Sequence, residues 1–335
     1  MSLADINAKL AGDDLSPAEI DAAFTIIMDG LAGHEDIKRF LNLTIPRMSD
    51  PVWIAGGARA LRARMLRVKA PDHAIDVCGT GGDGAHTLNI STAVAFVVAG
   101  CGVPVAKHGN RAMSSKSGAA DVLEALGVKL AGDAPTLERC LSEAGVAFLF
   151  AQNHHPAMRH VALARRELGK RTIFNLLGPL SNPAGVKRQL VGVFAADYAE
   201  PMAQALRTLA CEMALVVHGA GGLDELSAAG REYNHVATLA DGAISLQPAT
   251  ATAEVHPDLR GGLASENAAE MRALLDGAGR PGHRAAVLIN AAAALFAAGR
   301  ASDVGGAHAL ATEALESGAA RAALERLISV SRSAP

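Results

Sequence analysis

The chain reads as an α/β protein: a central, mostly parallel sheet flanked by helices and joined to a smaller all-helical unit. Three observations predict this class. Apolar runs of four to six residues stand at 74–78, 103–106, 146–150, 189–194 and 213–218, and all but the last lead into a stretch whose apolar residues recur every three or four positions. That alternation of strand and helix builds parallel sheets. The first 70 residues show helical spacing throughout. The runs also end abruptly in glycine, hydroxyl or charged residues, as strands do at the edge where an open α/β sheet binds ligands.

Composition bounds the rest. With 335 residues, 50% of them hydrophobic and 19% charged, the chain can bury a substantial core. Aromatics are only 3%, so alanine, leucine and valine must do most of the packing. The balance of 31 basic against 34 acidic residues disfavours a broad nucleic-acid surface. Cys78, Cys101, Cys140 and Cys211 lie in or beside apolar runs without a CxxC pair, which reads as core packing in a reduced cytoplasmic protein. The N-terminus has no signal-type apolar segment and no later run demands a membrane. A cytoplasmic protein without nucleic-acid or membrane partners is expected.

In order, Leu15-Ser16-Pro17-Ala18-Glu19 starts a helix: a serine cap, proline in the first turn, and an acidic residue three after the serine. Residues 17–30 carry Ile20, Phe24, Ile27 and Met28 on one face, and Gly30 stops them. Helices follow over His34–Leu43 and Val52–Leu66. The domain division expected is a helical unit over 1–70, completed by part of 168–190, with 71–167 and 191–335 forming the large α/β domain. Within the latter, a strand over Ala74–Cys78 precedes a helix starting near Asn89 to Ser91, and a strand over Val103–Ala106 precedes a helix over Ser117–Leu126. A short strand at Val128–Leu130, a helix over Pro135–Ala144, a strand over Val146–Phe150 and a helix over Pro156–Leu168 continue the series. TIFNLLGPLSNP at 172–183 is broken by Gly178, Pro179 and Pro183, which suits a connection and not a central strand. Strands over Gln189–Phe194 and Met213–His218 flank a helix over Tyr198–Leu209; residues 233–260 read as a peripheral antiparallel excursion, and from Ser265 the chain is mainly helical.

The chemistry gathers at three strand ends. Gly79-Thr80-Gly81-Gly82 puts no bulk between backbone amides and a ligand, and the helix beginning near Asn89 to Ser91 leaves amides for an anion such as phosphate. Residues 107–116 carry three fixed positive charges and no carboxylate. Arg111 supplies a planar fork, Lys107 and Lys116 mobile charges, and Ser114 and Ser115 short donors, so the segment reads as an anion grip. The third loop, 219–225, is glycine-rich and ends in Asp224-Glu225. Such pairs are common on surfaces, and this one is expected to face solvent; beside a pyrophosphate, which carboxylates repel, its task would be to hold magnesium. His154-His155 suggests zinc, but no third ligand stands at a known spacing, and local hydrogen bonding or ligand packing is the stronger reading. From position alone, Arg165 and Arg166 read as a surface doublet.

Taken together, GTGGD at 79–83, NIST at 89–92, KHGNR at 107–111, HHPAM at 154–158, RTIFNLLGPLSNP at 171–183 and LDE at 223–225 resemble the anthranilate phosphoribosyltransferases of tryptophan biosynthesis. The resemblance spans most of residues 70–330 and rests on the ordered set, not on any single glycine motif. It implies a fold of the nucleoside phosphorylase and class IV phosphoribosyltransferase type, paired as a homodimer through the small helical domains. The implied activity is magnesium-dependent transfer of the phosphoribosyl group from phosphoribosyl pyrophosphate to the amino nitrogen of anthranilate, releasing pyrophosphate. By resemblance, Gly79, Gly82, Asp83, Thr87, Asn89, Ile90, Ser91 and Thr92 hold the sugar pyrophosphate together with Lys107, His108, Gly109, Asn110, Arg111, Ala112, Met113, Ser114 and Ser115. Gly79, Asn110 and Arg165 would face anthranilate, and Ser91, Asp224 and Glu225 would hold magnesium. No covalent nucleophile is implied, since anthranilate carries its own amine and the work falls on positioning and leaving-group stabilisation.

Two positions depart from the family pattern: residues 39–50 stand where AFLMALRMKGET is usual, and Ala119 where serine is common. Two other functions fit parts of the sequence. A nucleoside phosphorylase also binds phosphate beside a ribose, but the long series of phosphate donors plus an acidic loop suits pyrophosphate better. A non-catalytic sensor of the same sugar phosphate would have no need of Asn110, Arg165, Asp224 and Glu225.

Overall fold

In the computed structural model, which describes residues 1–112, 116–130 and 132–333, two capping boxes open the chain. Ser2 and Asp5 cap α1 (Leu3–Leu10), a helix the sequence reading did not anticipate. Ser16 and Glu19 cap α2 (Pro17–Met28): the serine hydroxyl accepts the Glu19 amide and the Glu19 carboxylate accepts the Ser16 amide. The expected face of α2, with Ile20, Phe24, Ile27 and Met28, is buried. α3 (His34–Leu43) and α4 (Pro51–Arg62) pack around it. Phe24 is the hub, edge-on to Phe40, Trp53 and Phe174 at centroid distances of 5.5, 6.3 and 6.0 Å. Phe174 belongs to the 172–183 connection, which forms no strand and buries Phe174, Leu176, Leu177 and Leu180 against these helices.

The remaining chain alternates strands and helices: β1 (Ile75–Gly79), α5 (Ile90–Gly100), β2 (Val105–Gly109), α6 (Ala119–Leu126), α7 (Ala134–Arg139), β3 (Val146–Phe150), α8 (Ala151–His154), α9 (Arg159–Leu168), β4 (Arg188–Gly192), α10 (Ala199–Thr208) and β5 (Met213–His218). The hairpin β6 (His235–Ala240) and β7 (Ala243–Gln247) follows, then α11 (Ala264–Leu275), α12 (Pro281–Ala297), α13 (Val304–Glu316) and α14 (Ala319–Arg332). The sheet order is β3-β2-β1-β4-β5-β6-β7, with the first five strands parallel and the last two antiparallel. Asp241 and Gly242, both at positive φ (50° and 74°), make the two-residue turn of the hairpin.

Three sequence expectations change. β2 continues through Lys107, His108 and Gly109, which pair with Phe148, Leu149 and Phe150; the polar side chains did not end the strand because each finds a buried partner. Val128–Leu130 is not a strand, because the Val128 amide turns back to the Leu123 carbonyl and closes α6. The helix expected from Pro156 begins as a single 3-10 turn and becomes α-helical only at Arg159.

Alternate strand residues face opposite layers. Ile75 and Val77 join the core under α5, α6 and α11 to α14, whereas Cys78, Val191, Val193, Ala214 and Val216 join the core shared by α1 to α4, α9 and α10. The chain winds from β1 toward β3 on one side and from β4 toward β5 on the other. The crevice where ligands bind in such sheets therefore lies at the carboxyl ends of β1 and β4. No described helix is long and apolar enough to cross a membrane.

Candidate active site

Glycines end β1 and β4 and follow β5 because a loop lies across them. A β-carbon on Gly79 would strike the Asp224 carboxylate, one on Gly192 the Asp224 carbonyl, and one on Gly219 the Glu225 carbonyl. Gly81 and Gly82 answer a different need: nothing crowds their missing side chains, but their φ angles are 61° and 74°. The turn they make aims the Gly81 amide at Asp224 Oδ2, 2.7 Å away. It also brings Asp83 beside the acidic pair, so that Asp83, Asp224 and Glu225 offer oxygens all within 4.8 Å of one another.

This group is electrostatically costly. Burial, followed by the neighbouring Asp83, pushes Asp224 up to about 7. Burial and then the Asp224 and Asp83 charges push Glu225 well above the usual carboxylate range. Glu225 Oε2 is buried without a hydrogen-bond partner among the described residues. The loop is thus not solvent-facing as expected; its carboxylates are folded down over the strand ends. Three clustered carboxylates with an orphaned oxygen fit a hard, oxygen-seeking divalent cation such as magnesium.

Beneath them lies Lys107, only 2% exposed, whose ammonium donates to the Val77 carbonyl at 2.6 Å and to Ser91 Oγ at 3.1 Å. Burial pulls its pKa down, against the opposing pull of Asp76, Cys78, Glu225 and Asp224. It is a fixed internal cation, not a mobile loop charge. Ser91 opens α5, and Asn89 stands at the cap without capping: its side chain instead accepts from Asn267 Nδ2 at 2.9 Å and donates to the Ser117 carbonyl at 3.4 Å. Thr92 Oγ1 is buried and, among the described residues, unpartnered. Ile90 is fully buried, so only its backbone can meet a ligand. Thr87 forms an isolated antiparallel bridge with Arg260.

His108 points to the other layer. Its Nδ1 lies 3.1 Å from the Gly178 carbonyl and must carry the proton; Nε2 is then an acceptor, and His155 Nε2, 3.2 Å away, donates to it. Burial holds both rings neutral, pulling His108 down to about 3 and His155 to about 4. Asp76, fully buried, accepts the His108 amide at 3.1 Å and Asn182 Nδ2 at 2.7 Å. Gln189 donates to the Pro179 carbonyl at 2.8 Å and Arg62 to the Leu180 carbonyl at 2.6 Å, so the 178–182 connection is bonded to its surroundings almost residue by residue.

Arg111 and Arg165 have other partners. Arg111 pairs with Asp121 at 2.8 Å and Glu124 at 2.6 Å, so α6 supplies the carboxylates that the basic segment lacks. Asn110 is exposed and accepts the Arg111 amide at 2.8 Å; Ala112 gives its amide to Asp121 at 3.1 Å. Gly109 ends β2. Met113, Ser114 and Ser115 lie outside the described residues. Arg165 is half-buried, in contrast to the exposed Arg166, and its guanidinium stands 5.8 Å from the Phe174 ring centre. No carboxylate pairs with it among the described residues, which its position in the sequence did not suggest.

Residues 71–321 match the family described as "Glycosyl transferase family, a/b domain". The anthranilate phosphoribosyltransferase of Rhizobium meliloti (strain 1021) is 53% identical over 333 residues, 98% of each chain. This chain belongs to the anthranilate phosphoribosyltransferase family. The crystal structure of the anthranilate phosphoribosyltransferase of Thermus thermophilus matches with a TM-score of 0.90 at 39% identity, covering 99% of this chain and 100% of that one. The Saccharomyces cerevisiae anthranilate phosphoribosyltransferase, solved in complex with PRPP and Mg, matches at 0.86 and 26% identity over 98% and 97% of the two chains. The same yeast enzyme in complex with 4-fluoroanthranilate also gives 0.86, at 25% identity over 98% and 97%.

As an anthranilate phosphoribosyltransferase, the chain is a glycosyltransferase with the α/β architecture of that family. Sequence reasoning missed three site-lining residues, Asp76, Asn267 and Arg171, and it placed Asp83 with the sugar pyrophosphate but not with the acidic pair. Asp83 joins the acidic pair only through the Gly81-Gly82 turn. Asn267, which holds Asn89, lies in an ordinary polar helix start, and Asp76, which holds His108, in an apolar run; neither has a motif around it. Arg171 bonds the Gly82 carbonyl and stacks 4.3 Å over the Phe194 ring; its place in RTIFNLLGPLSNP was the one available signal.

Proposed function

We propose that this protein transfers the 5-phosphoribosyl group of phosphoribosyl pyrophosphate to the amino nitrogen of anthranilate, giving N-(5-phosphoribosyl)anthranilate and pyrophosphate in tryptophan biosynthesis. The observation that carries the reading is the meeting of a glycine turn, a helix N-terminus and a three-carboxylate cluster at the switch point of the sheet. Ser91, Asp224 and Glu225 hold magnesium, with Asp83 beside the two carboxylates; when bound, the ion would neutralise charge on the departing pyrophosphate. Gly79, Gly82, Asp83, Thr87, Asn89, Ile90, Ser91 and Thr92 and the 107–115 segment hold the sugar pyrophosphate. Lys107 balances the acidic cluster from below. Arg165 takes the anthranilate carboxylate, with Gly79 and Asn110 facing the same substrate.

No side chain is needed to activate the acceptor, because an aromatic amine is neutral and nucleophilic near pH 7. The chain's own contribution is to orient that amine toward the anomeric carbon and to exclude competing geometries. The same reading includes a helical domain over 1–70 completed by part of 168–190, supported by the burial of Phe174, Leu176, Leu177 and Leu180 among the N-terminal helices. It also includes a homodimer through that domain and a cytoplasmic location. Incubation with phosphoribosyl pyrophosphate, magnesium and a panel of anthranilate, nicotinate, orotate and purine bases tests it: pyrophosphate release with anthranilate is expected, and release with another base but not with anthranilate would refute it. Sedimentation of the purified protein tests the dimer.

A further inference from the structure

Asn290 of α12 lies under the loop that carries Asp224 and Glu225. Its side chain is 1% exposed and addresses both backbone groups of Leu226, the next residue in the chain. Oδ1 accepts the Leu226 amide at 2.9 Å, and Nδ2 donates to the Leu226 carbonyl at 2.9 Å and to the Ala286 carbonyl at 2.9 Å. The amide can take only one orientation, since the reversed one would set nitrogen against an N–H and oxygen against two carbonyls. From another element, Asn234 repeats the grip on Ser227, accepting its amide at 2.7 Å and donating to its carbonyl at 2.9 Å.

Two consecutive residues are thereby paired as a neighbouring strand would pair them, although they belong to no strand. The loop needs such holding. Three carboxylates within 4.8 Å repel one another, and the glycines that make room for the loop contribute no side-chain contacts to keep it down. Asn290 lines the same small void as Asp224, Glu225, Ser91, Val77 and Cys78.

We propose that Asn290 is a positioning residue for the divalent-cation site, setting through the Leu226 backbone where Asp224 and Glu225 present their oxygens. The inference rests on the assignment of those carboxylates to the cation. Partners that orient metal ligands are typically worth about 10- to 100-fold in metal affinity, and that is the loss assigned to Asn290.

Mn²⁺ binding to the full-length protein, with the metal alone and followed by the paramagnetic resonance of free Mn²⁺, tests this without turnover. Asn290→Ala should weaken Mn²⁺ binding by about 10- to 100-fold and raise the magnesium needed for half-maximal rate, with little change in the KM for anthranilate. Asn290→Ser keeps one polar group at the position and should recover part of the affinity; it also serves if the alanine variant fails to fold. Asn7→Ala is the control: Asn7 is fully buried and donates to the Asp36 carbonyl at 2.9 Å in the N-terminal helices, so its loss destabilises the protein and should leave Mn²⁺ binding intact. Wild-type Mn²⁺ affinity in the Asn290 variants, or an equal loss in Asn7→Ala, would overturn the proposal. An Asp224→Asn, Glu225→Gln double variant run in parallel separates the two failures: if it too binds Mn²⁺ normally, the assignment of the cation to this loop falls, and the proposal with it.

Discussion

A half-buried guanidinium with a phenyl ring beside it and no carboxylate partner is an unsatisfied cation, and among the described residues Arg165 is in that condition. Burial has already pulled its pKa down, so an incoming carboxylate meets a charge that water screens poorly. Loss of a charge-assisted bond of roughly 1.5 to 3 kcal/mol should make Arg165→Ala about 10- to 100-fold poorer in its use of anthranilate. The KM for phosphoribosyl pyrophosphate should change little; steady-state kinetics with each substrate varied in turn measures both. Gly79 is constrained from the opposite direction, by lack of space. The methyl group of Gly79→Ala would occupy the place of the Asp224 carboxylate. A sharp fall in kcat and a higher magnesium requirement are expected, with an unchanged far-UV circular dichroism spectrum.

At the level of elements, the start of α5 shows how a neighbour can change what a helix end is free to do. An asparagine at an N-cap ordinarily accepts an amide of its own helix, yet Asn89 is turned away by Asn267, 178 residues later in the chain. Asn267→Ala would release Asn89 to cap α5 and consume an amide otherwise available to phosphate. A raised KM for phosphoribosyl pyrophosphate is expected, without a comparable change for anthranilate. The 178–182 connection is a second case. Its glycine and prolines exclude it from the sheet, and bonds from His108, Gln189, Arg62 and Asp76 through Asn182 hold it instead.

For the whole molecule, the His108 and His155 pair couples stability to pH. Both are neutral in the fold, at about 3 and about 4 because of burial, whereas in the unfolded chain histidine titrates near 6.5. Below about pH 6.5 the unfolded state therefore binds more protons than the native state, and stability falls as the pH falls. The loss accumulates down to the folded values near 4 and 3. Denaturant titrations at pH 7.5 and about 5 should show a clear drop for the wild type and a smaller one for His155→Asn. An equal drop in both proteins would show that His155 is not a source of the acid sensitivity.

The α/β class, the cap at Ser16, the apolar face of α2 and the positions of the five parallel strands were legible in the sequence. So was the fact that strand ends carry glycine, hydroxyl and charged groups. Those features are written by local physics: side-chain period, capping geometry and the bareness of glycine act over a few residues. What was not legible is where each polar group finds its partner. Lys107 and His108 looked like the beginning of a loop, and they are strand residues because the Val77 carbonyl, Ser91, Gly178 and His155 receive them. Arg111 looked free until α6 brought Asp121 and Glu124 to it, and the Asp224-Glu225 pair looked exposed until Gly79, Gly192 and Gly219 made room for it. A polar group is stable in an interior only where another element supplies its complement. The sequence alone therefore determined the elements and their order, and the tertiary structure decided which polar residues are buried, which are paired, and which remain open to a ligand.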